Sequence, residues 1–193
     1  MIRVAVVDDH PAMRAGLASV LHTEPEIVFA GESDGQPEHV WPMLNIVRPD
    51  LVLLDYHLPH SDGLQICYRI KREIQAPKVL LFTAYASPTL ALPATLAHAD
   101  GMLPKGAGAR ELFESIRQVS NGARLLPPIT AAVLDDGYAC LHEDDRALVA
   151  MLLDGASERE IGRTLDLPVR DVGHAVRRIL SALQLEIPAR RSG

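Results

Sequence analysis

The 193-residue chain lacks the features that mark disulfide-bonded, zinc-binding or membrane-spanning proteins. It contains two cysteines, Cys67 and Cys140, without a Cys-x-x-Cys spacing, so neither a disulfide framework nor a zinc site is expected. No apolar run approaches the roughly 20 residues that cross a bilayer. The first residues also lack the basic and apolar segments of a secretory signal. We therefore expect a cytoplasmic protein without a membrane partner.

A strong excess of positive charge is also absent. The net charge is −6, the chain becomes slightly basic only towards its C-terminus, and no lysine follows Lys105. Because a nucleic-acid-binding face is normally strongly basic, charge by itself does not indicate DNA as a partner. Hydrophobic residues make up 48% of the chain, which is enough for a buried core in one large domain or two small ones.

Short apolar runs alternate with helical patterns over residues 1–120. The predicted strands are 2–7, 27–31, 51–55, 78–82 and 100–103. The predicted helices are 10–22, 36–47, 63–74, 86–98 and 109–120. Five such units predict an α/β fold, a doubly wound five-stranded parallel sheet in the order 2-1-3-4-5. The helix at 86–98 contains Pro93 in its interior, which removes a backbone hydrogen bond, so we expect it to be kinked, short or mobile.

A second, smaller domain follows a connector. Residues 121–138 contain adjacent prolines and are predicted to link a domain at 1–120 to an all-α domain at 139–193. This domain has a helical pattern at 143–154 and another at 157–165, where Ser157 and Glu160 have the spacing of a capping box. A third helix, 168–183, has Val169, Val172, Val176, Ile179, Leu180 and Leu183 as its predicted buried face. The last two helices and their short turn form a helix-turn-helix.

Charged and polar side chains end several of the predicted strands. Asp8 and Asp9 follow the first strand, Asp55 ends the third, Thr83 follows the fourth and Lys105 follows the fifth. Since the carboxyl ends of parallel strands share one edge of a sheet, these groups should converge. Mg²⁺ prefers oxygen ligands and often binds one or two carboxylates and a phosphate. The lysine would neutralise a transferred phosphoryl group and the threonine would donate a hydrogen bond to it.

Two simpler interpretations stand beside this one. Any single aspartate at a strand end can be a polar residue that meets solvent, but the combination favours a site. His10, His57 and His60 lie close by and invite a reading as metal ligands. Hard-cation sites use oxygen and no His-x₃-His spacing is present, so we interpret these histidines as solvated loop residues.

The segments VVDDH, LLDYHLPHSDG, LLFTAY and ADGMLPK resemble the receiver domain of bacterial two-component response regulators. The resemblance implies that Asp55 is the phosphoacceptor. It also implies that Asp8, Asp9, Asp55 and the backbone carbonyl of His57 bind Mg²⁺.

The same resemblance implies two further roles. Thr83 would be the hydroxyl switch residue and Lys105 would contact the phosphoryl group. Met102 stands where the family usually has the switch aromatic, three residues before the lysine, and Pro93 interrupts the fourth helix. Activity that does not depend on phosphorylation is therefore an open alternative.

Residues 139–187 resemble the NarL/LuxR-type output domain, which implies promoter DNA as a partner and a homodimer in the active form. The helix at 168–183 would enter the major groove. Its face away from the core presents the candidate DNA contacts Arg170, His174, Arg177 and Arg178. Family members usually have Thr-Val-Lys where this chain has Asp171-Val172-Gly173, and an aspartate repels phosphates.

Three functions are compatible with these features. The leading hypothesis is a transcriptional response regulator whose Asp55 is phosphorylated by a sensor histidine kinase. The reaction modifies the protein itself, so we do not expect an enzyme. The second is a regulator with a degenerate output domain that acts through protein contacts. The third is a Mg²⁺-dependent phosphatase of the haloacid dehalogenase type, but such enzymes use an Asp-x-Asp pair that Asp8-Asp9 does not match.

Overall fold

The computed structural model describes residues 1–59, 61–84 and 87–185. The chain divides into two compact units. The first comprises Met1–Ala86 and His98–Leu126, and the second comprises Ser87–Ala97 and Pro127–Gly193. The predicted domain boundaries, 1–120, 121–138 and 139–193, stay a prediction.

A five-stranded parallel sheet forms the first unit. Its strands are β1 (Ile2–Val7), β2 (Ile27–Ser33), β3 (Leu51–Asp55), β4 (Lys78–Thr83) and β5 (Gly101–Pro104). They are arranged in the order β2-β1-β3-β4-β5, which confirms the predicted fold class and strand order. A short antiparallel hairpin, His57–Leu58 with Ser61–Asp62, follows β3. The central strand β3 is buried along its whole length because β1 and β4 flank it.

The helices follow in chain order. They are α1 (Pro11–Leu21), α2 (Pro37–Val47), α3 (Gly63–Ile70), α4 (Ala91–Leu96), α5 (Ala109–Ser120), α6 (Ala131–Ala139), α7 (Glu143–Leu153), α8 (Glu158–Thr164) and α9 (Val169–Leu185). Proline occupies the first position of α1 and α2, where its missing N–H costs no hydrogen bond. The helix predicted at 63–74 ends earlier, at Ile70, with Lys71 as its C-cap. The Lys71 ammonium donates to Asp100 (2.8 Å).

One hydrophobic cluster of the first unit lies against one face of the sheet. Val4 and Val6 of β1, Leu53 of β3 and Leu80 of β4 are buried there against α1 and α5. The helix α5 contributes Leu112, Ile116 and Val119, which are buried, and Phe113, which is partly buried. This packing holds the strand ends in register, and the register positions the side chains that follow them.

The segment predicted as a helix at 86–98 is short, as its interior proline indicated. A 3₁₀ turn, Pro88–Leu90, precedes the six residues of α4. Nearly all of α4 is buried, and it packs on α6, α7 and α9 within the second unit. Gly137 of α6 permits this contact, because a Cβ atom there would collide with the side chain of Leu92.

The predicted connector is partly helical. Residues 131–139 form α6, which the sequence pattern did not indicate because its apolar residues do not form a clear stripe and Gly137 interrupts them. Its N-cap is Thr130, whose hydroxyl accepts a hydrogen bond from the Val133 amide (3.3 Å). The remainder of the connector, 121–130, has no helix or strand.

The helix-turn-helix forms as predicted. Both hydrogen bonds of the capping box between Ser157 and Glu160 are present at the start of α8. Asp166, at φ 54°, makes the turn, and the Leu167 amide donates to the Gly162 carbonyl (2.8 Å). Five predicted core residues of α9 are buried: Val172, Val176, Ile179, Leu180 and Leu183. The prediction is wrong for Val169, which is 42% exposed because it lies in the first turn, beyond the edge of the core.

None of the helices in the described ranges is both long enough and apolar enough to cross a membrane.

Gly63 is expected to be indispensable to the segment that follows Asp55. A Cβ atom at Gly63 would collide with the Asp55 carbonyl oxygen and lie 2.7 Å from that of Tyr56, and neither backbone group can move freely. Gly63→Ala should therefore lower the free energy of unfolding by about 3 kcal/mol. The measurement is urea unfolding followed by the fluorescence of Trp41, the single tryptophan, which lies in α2.

The matched control is Gly16→Ala in α1, where a Cβ atom meets nothing within 4 Å. This change should raise the free energy of unfolding by up to about 1 kcal/mol through helix propensity. Equal shifts for the two variants would contradict the assignment of a special backbone position to Gly63.

Candidate functional site

The edge of the sheet brings Asp8, Asp55 and Lys105 into direct contact. Asp8 follows β1 and Asp55 ends the neighbouring strand β3, with Val7 and Leu54 in register. The ammonium of Lys105, just after β5, donates to Asp8 Oδ2 (2.6 Å) and to Asp55 Oδ2 (2.7 Å). The three residues are far apart in sequence, so the parallel strand order is what places them together.

Both carboxylates of this ion cluster are buried. Asp8 is 2% exposed and Asp55 is 3% exposed. Burial raises the pKa of Asp55, although the hydrogen bond from Lys105 opposes that effect. Burial by itself would lower the pKa of Lys105, but the hydrogen bonds to Asp55 and Asp8 outweigh it and the pKa is raised. The lysine is therefore held as an ammonium between the two carboxyl groups.

Asp9 and His10 lie beside this cluster. The Asp9 side chain is one-quarter exposed, but its Oδ1 atom is buried and makes no hydrogen bond with any described residue. His10 Nδ1 lies 2.8 Å from that atom and 3.3 Å from Asp8 Oδ1. The backbone amide of His10 donates to Asp8 Oδ1 (2.8 Å), which turns the chain towards the carboxylates.

His57 reaches the site through its backbone. Its amide donates to Asp55 Oδ1 (3.1 Å), and its ring packs edge-on against Tyr56. The side chain itself is exposed, which agrees with its interpretation as a solvated loop histidine. Metal binding by the backbone carbonyl of His57 stays a prediction. His60 lies outside the described residues.

Thr83 and Met102 lie in β4 and β5, the two neighbouring strands that lead to Lys105. Thr83 ends β4, is fully buried, and its carbonyl accepts the Lys105 amide (2.8 Å). Met102 lies in β5 in register with Leu81, and its side chain is partly buried. The structure thus brings the predicted hydroxyl residue next to the lysine. The role of Met102 as a switch residue stays a prediction.

Asp8, Asp9 and Asp55, together with His10, offer ligand atoms that all lie within 4.8 Å of one another. Carboxylate oxygens are the donors that Mg²⁺ prefers. The buried Asp9 Oδ1 atom lies 2.8 Å from His10 Nδ1, at the same edge of the sheet as the other two carboxylates. The residues present therefore fit a small divalent cation.

Comparison with known proteins identifies the family. Residues 4–117 match the model of the response regulator receiver domain. This chain is a response regulator. It is 30% identical over 196 residues to the DNA-binding transcriptional activator DevR/DosR of Mycobacterium tuberculosis, covering 96% of this chain and 90% of the relative. It is 28% identical to the transcriptional regulatory protein LiaR of Bacillus subtilis, covering 96% and 92%.

A solved structure of the same kind is similar in fold. The two-component response regulator of the LuxR family from Aurantimonas sp. SI85-9A1 superposes with a TM-score of 0.61 at 26% identity. The similarity covers 72% of this chain and 99% of that one. The sequence relatives are transcriptional regulators and match nearly the whole chain, so both units of this response regulator have counterparts in them.

Two residues of the response regulator that contact the site were missed from the sequence. Arg14 donates through Nη1 to the Asp8 carbonyl (2.8 Å) and through Nε to Glu32 (3.2 Å). Asp62 caps α3 by accepting the Leu64 amide (2.8 Å). An Asp directly before a helical pattern is a capping signal that could have identified the second. The contact of Arg14 depends on tertiary structure and has no local signal.

The candidate DNA contacts of the response regulator lie on the exposed face of α9. Arg170, His174, Arg177 and Arg178 are all exposed. Arg178 also has a structural role, because its Nη2 atom donates to Oδ1 of buried Asp145 in α7 (2.6 Å). The hydrogen bond to Asp145 thus gives Arg178 a role within the second unit that does not involve DNA.

Asp62 is expected to give the stability of the response regulator a pH dependence. Burial raises its pKa to about 6, so the folded chain binds this proton more tightly than the unfolded chain. Its contribution to stability should therefore fall as pH rises from about 4 to 6. Asn caps helices equally well and does not ionise, so Asp62→Asn should be more stable than wild type above pH 6 by up to about 3 kcal/mol.

The measurement is urea unfolding of both proteins at several values between pH 4 and pH 7, and the difference should vanish near pH 4. Asp34→Asn is a control of opposite sign, because the hydrogen bond to His39 lowers the pKa of Asp34. A stability difference for Asp62→Asn that does not change with pH would contradict the buried carboxylate.

Proposed function

We propose that this response regulator accepts a phosphoryl group on Asp55 and thereby controls binding of promoter DNA by its helix-turn-helix. The observation that supports the first half most directly is the Lys105 ammonium, which bridges Asp8 Oδ2 and Asp55 Oδ2 at 2.6 and 2.7 Å. The chain is its own phosphorylation substrate, so we propose a cytoplasmic regulator and not an enzyme that turns over a separate substrate.

The donor is a phosphohistidine of a sensor histidine kinase. A carboxylate oxygen of Asp55 forms a bond to phosphorus while the bond between phosphorus and the histidine nitrogen breaks. Lys105 remains within hydrogen-bonding reach of the new phosphoryl oxygens and offsets their charge. The Thr83 hydroxyl, at the end of the adjacent strand, donates to the same group.

Asp8, Asp9, Asp55 and the backbone carbonyl of His57 would hold Mg²⁺. When bound, the cation would supply positive charge that offsets the negative charge of the carboxylates and the entering phosphoryl group. Asp9 is the residue best suited to bind it, because Asp8 and Asp55 already share Lys105.

The effect of phosphorylation at Asp55 is proposed to involve both Thr83 and α4. The family match spans 4–117, so α4 belongs by sequence to the receiver domain, yet it packs on α6, α7 and α9. Ordering of Thr83 around a phosphoryl group would start the change, with Met102 as a further switch residue. We also propose a receiver domain at 1–120, a connector at 121–138 and an output domain at 139–193, with α4 serving both functions.

Phosphorylation of Asp55 is testable without the kinase. Incubation with acetyl phosphate and Mg²⁺ should add one phosphoryl group, detected as a mass increase of the intact protein, and should change the oligomeric state measured by light scattering. Asp55→Asn should abolish both effects, whereas Asp154→Asn, which removes an exposed carboxylate, should abolish neither. Phosphorylation that persists in Asp55→Asn would contradict the assignment of the acceptor.

The output helix is proposed to enter the major groove as part of a homodimer. Arg170, His174 and Arg177 are the contacts that we expect to act on DNA directly. Arg178 is held by buried Asp145, and Arg170 forms an exposed pair with Asp171 (3.5 Å) that DNA phosphates would compete for. Asp171, on the same helix, repels phosphates, so binding should be modest and strongly salt-dependent.

DNA binding is tested by selection from random duplexes and a gel shift of the phosphorylated protein over a salt series. Arg170→Ala should weaken binding and lower the slope of log affinity against log salt by about 1. Arg146→Ala, which removes an exposed arginine from α7, should change neither quantity. Arg178→Ala is unsuitable because it leaves the buried Asp145 without its cation.

The absence of DNA binding in this experiment would favour a different function for the second unit. No sequence-selective shift even at about 50 mM salt would contradict DNA recognition. It would favour a regulator whose second unit acts through protein contacts, which Asp171 and the structural use of Arg178 would then explain.

A further inference from the structure

A groove of about 700 Å³ lies between the ends of α2 and α3, within the first unit. Its apolar lining consists of Trp41 and Leu44 from α2, Ile70 from α3, and Pro49 and Pro77. The two prolines closely precede the amino ends of β3 and β4, so the groove lies at the edge of the sheet opposite to the carboxylates. Its volume is within the range of small-molecule sites, about 300–1,000 Å³.

Two arginine side chains line this groove, and neither forms an ion pair with a described residue. Arg48 is the C-cap of α2, at φ 41°, and is exposed. The guanidinium of Arg69 lies over the ring of Trp41, 4.0 Å from its centroid. Glu73 contributes one carboxylate to the same lining. The lining of two arginines and one glutamate is thus net positive, in a chain whose net charge is −6.

The stack of Arg69 on Trp41 gives the groove a flat surface. One face of the guanidinium lies against the indole, and because the Arg69 side chain is exposed, its other face is open to solvent. Guanidinium planes stack on aromatic rings and also pair with carboxylates and similar anions. Leu44 and Ile70 extend the apolar part of the surface beside this stack. The groove therefore combines a platform for a ring with positive charge that a ring alone would not satisfy.

We propose that this groove binds a small aromatic anion, such as an aromatic carboxylate or sulfonate. The ring of the ligand lies on the Arg69 guanidinium and the apolar lining, and its anionic group pairs with Arg48. The site shares no residue with the acidic edge of the sheet, so the inference holds whether or not Asp55 accepts a phosphoryl group.

Anilinonaphthalene sulfonate is the probe that tests the inference, because it joins a large aromatic body to one anionic group. Its emission can be excited by energy transfer from Trp41, the single tryptophan of the chain, so a titration of the full chain gives its affinity. Arg48→Asn, in which the new residue tolerates a positive φ, and Arg69→Gln should each weaken binding about threefold. Arg124→Gln, which removes an exposed arginine outside the groove, should leave the affinity unchanged.

A pair of opposite charges at Ile74 provides a second test that does not disturb the fold. Ile74 lines the groove and its side chain is fully exposed, so neither substitution removes a buried contact. Ile74→Lys should tighten binding of the sulfonate and Ile74→Glu should weaken it, each about twofold to threefold. Phenylnaphthylamine, which has the same rings without the sulfonate, should bind the wild type and all of these variants within about twofold of one another.

Three results would overturn the inference. The first is a sulfonate affinity that is the same in Arg48→Asn, Arg69→Gln and Arg124→Gln. The second is an equal loss for the charged and the uncharged probe, which would indicate a general hydrophobic surface. The third is a pair of Ile74 variants that do not differ in affinity for the sulfonate. Urea unfolding of each variant separates loss of the site from loss of the fold.

Discussion

An ammonium held between two buried carboxylates is the interaction on which the first unit depends. Lys105 donates hydrogen bonds to Asp8 and Asp55, and the three residues lie at the carboxyl ends of β5, β1 and β3. Removing one partner from such a cluster leaves an uncompensated charge in a poorly solvated place, which typically costs 3–5 kcal/mol. The same arrangement leaves an excess of negative charge at the sheet edge, since Asp9 adds a third carboxylate. The repulsion between these carboxylates makes the site suited to bind a cation. The site is also suited to receive a phosphoryl group, which Lys105 can then contact.

Much of this arrangement could be predicted from the sequence because it follows from strand order. Buried parallel strands appear as continuous apolar runs, and the residue after each run must lie at one edge of the sheet. Asp8, Asp55 and Lys105 were therefore predictable as neighbours. The short α4 followed from Pro93, and the start of α8 followed from the spacing of Ser157 and Glu160. Each of these inferences uses a local rule or a fixed topology.

What could not be predicted depends on contacts between distant segments. The helix α6 has no clear apolar stripe, and Gly137 is explained only by the side chain of Leu92 that packs on it. The hydrogen bond from Arg178 to buried Asp145 joins two helices and has no local signal in the sequence. The proximity of His10 to two carboxylates is a matter of ångströms, and residue spacing has no such resolution. At Arg178, a structural contact and a proposed functional role involve the same side chain.

The central claim is that Lys105 allows Asp8 and Asp55 to be ionised side by side, and a double-mutant cycle in the absence of divalent cations tests it. The free energy of unfolding should fall by about 3–5 kcal/mol in Lys105→Gln. Adding Asp55→Asn should recover part of that loss, because it removes one of the two unpaired charges, and the coupling energy should exceed about 1 kcal/mol. Effects of the two substitutions that simply add, within about 0.5 kcal/mol, would contradict the account.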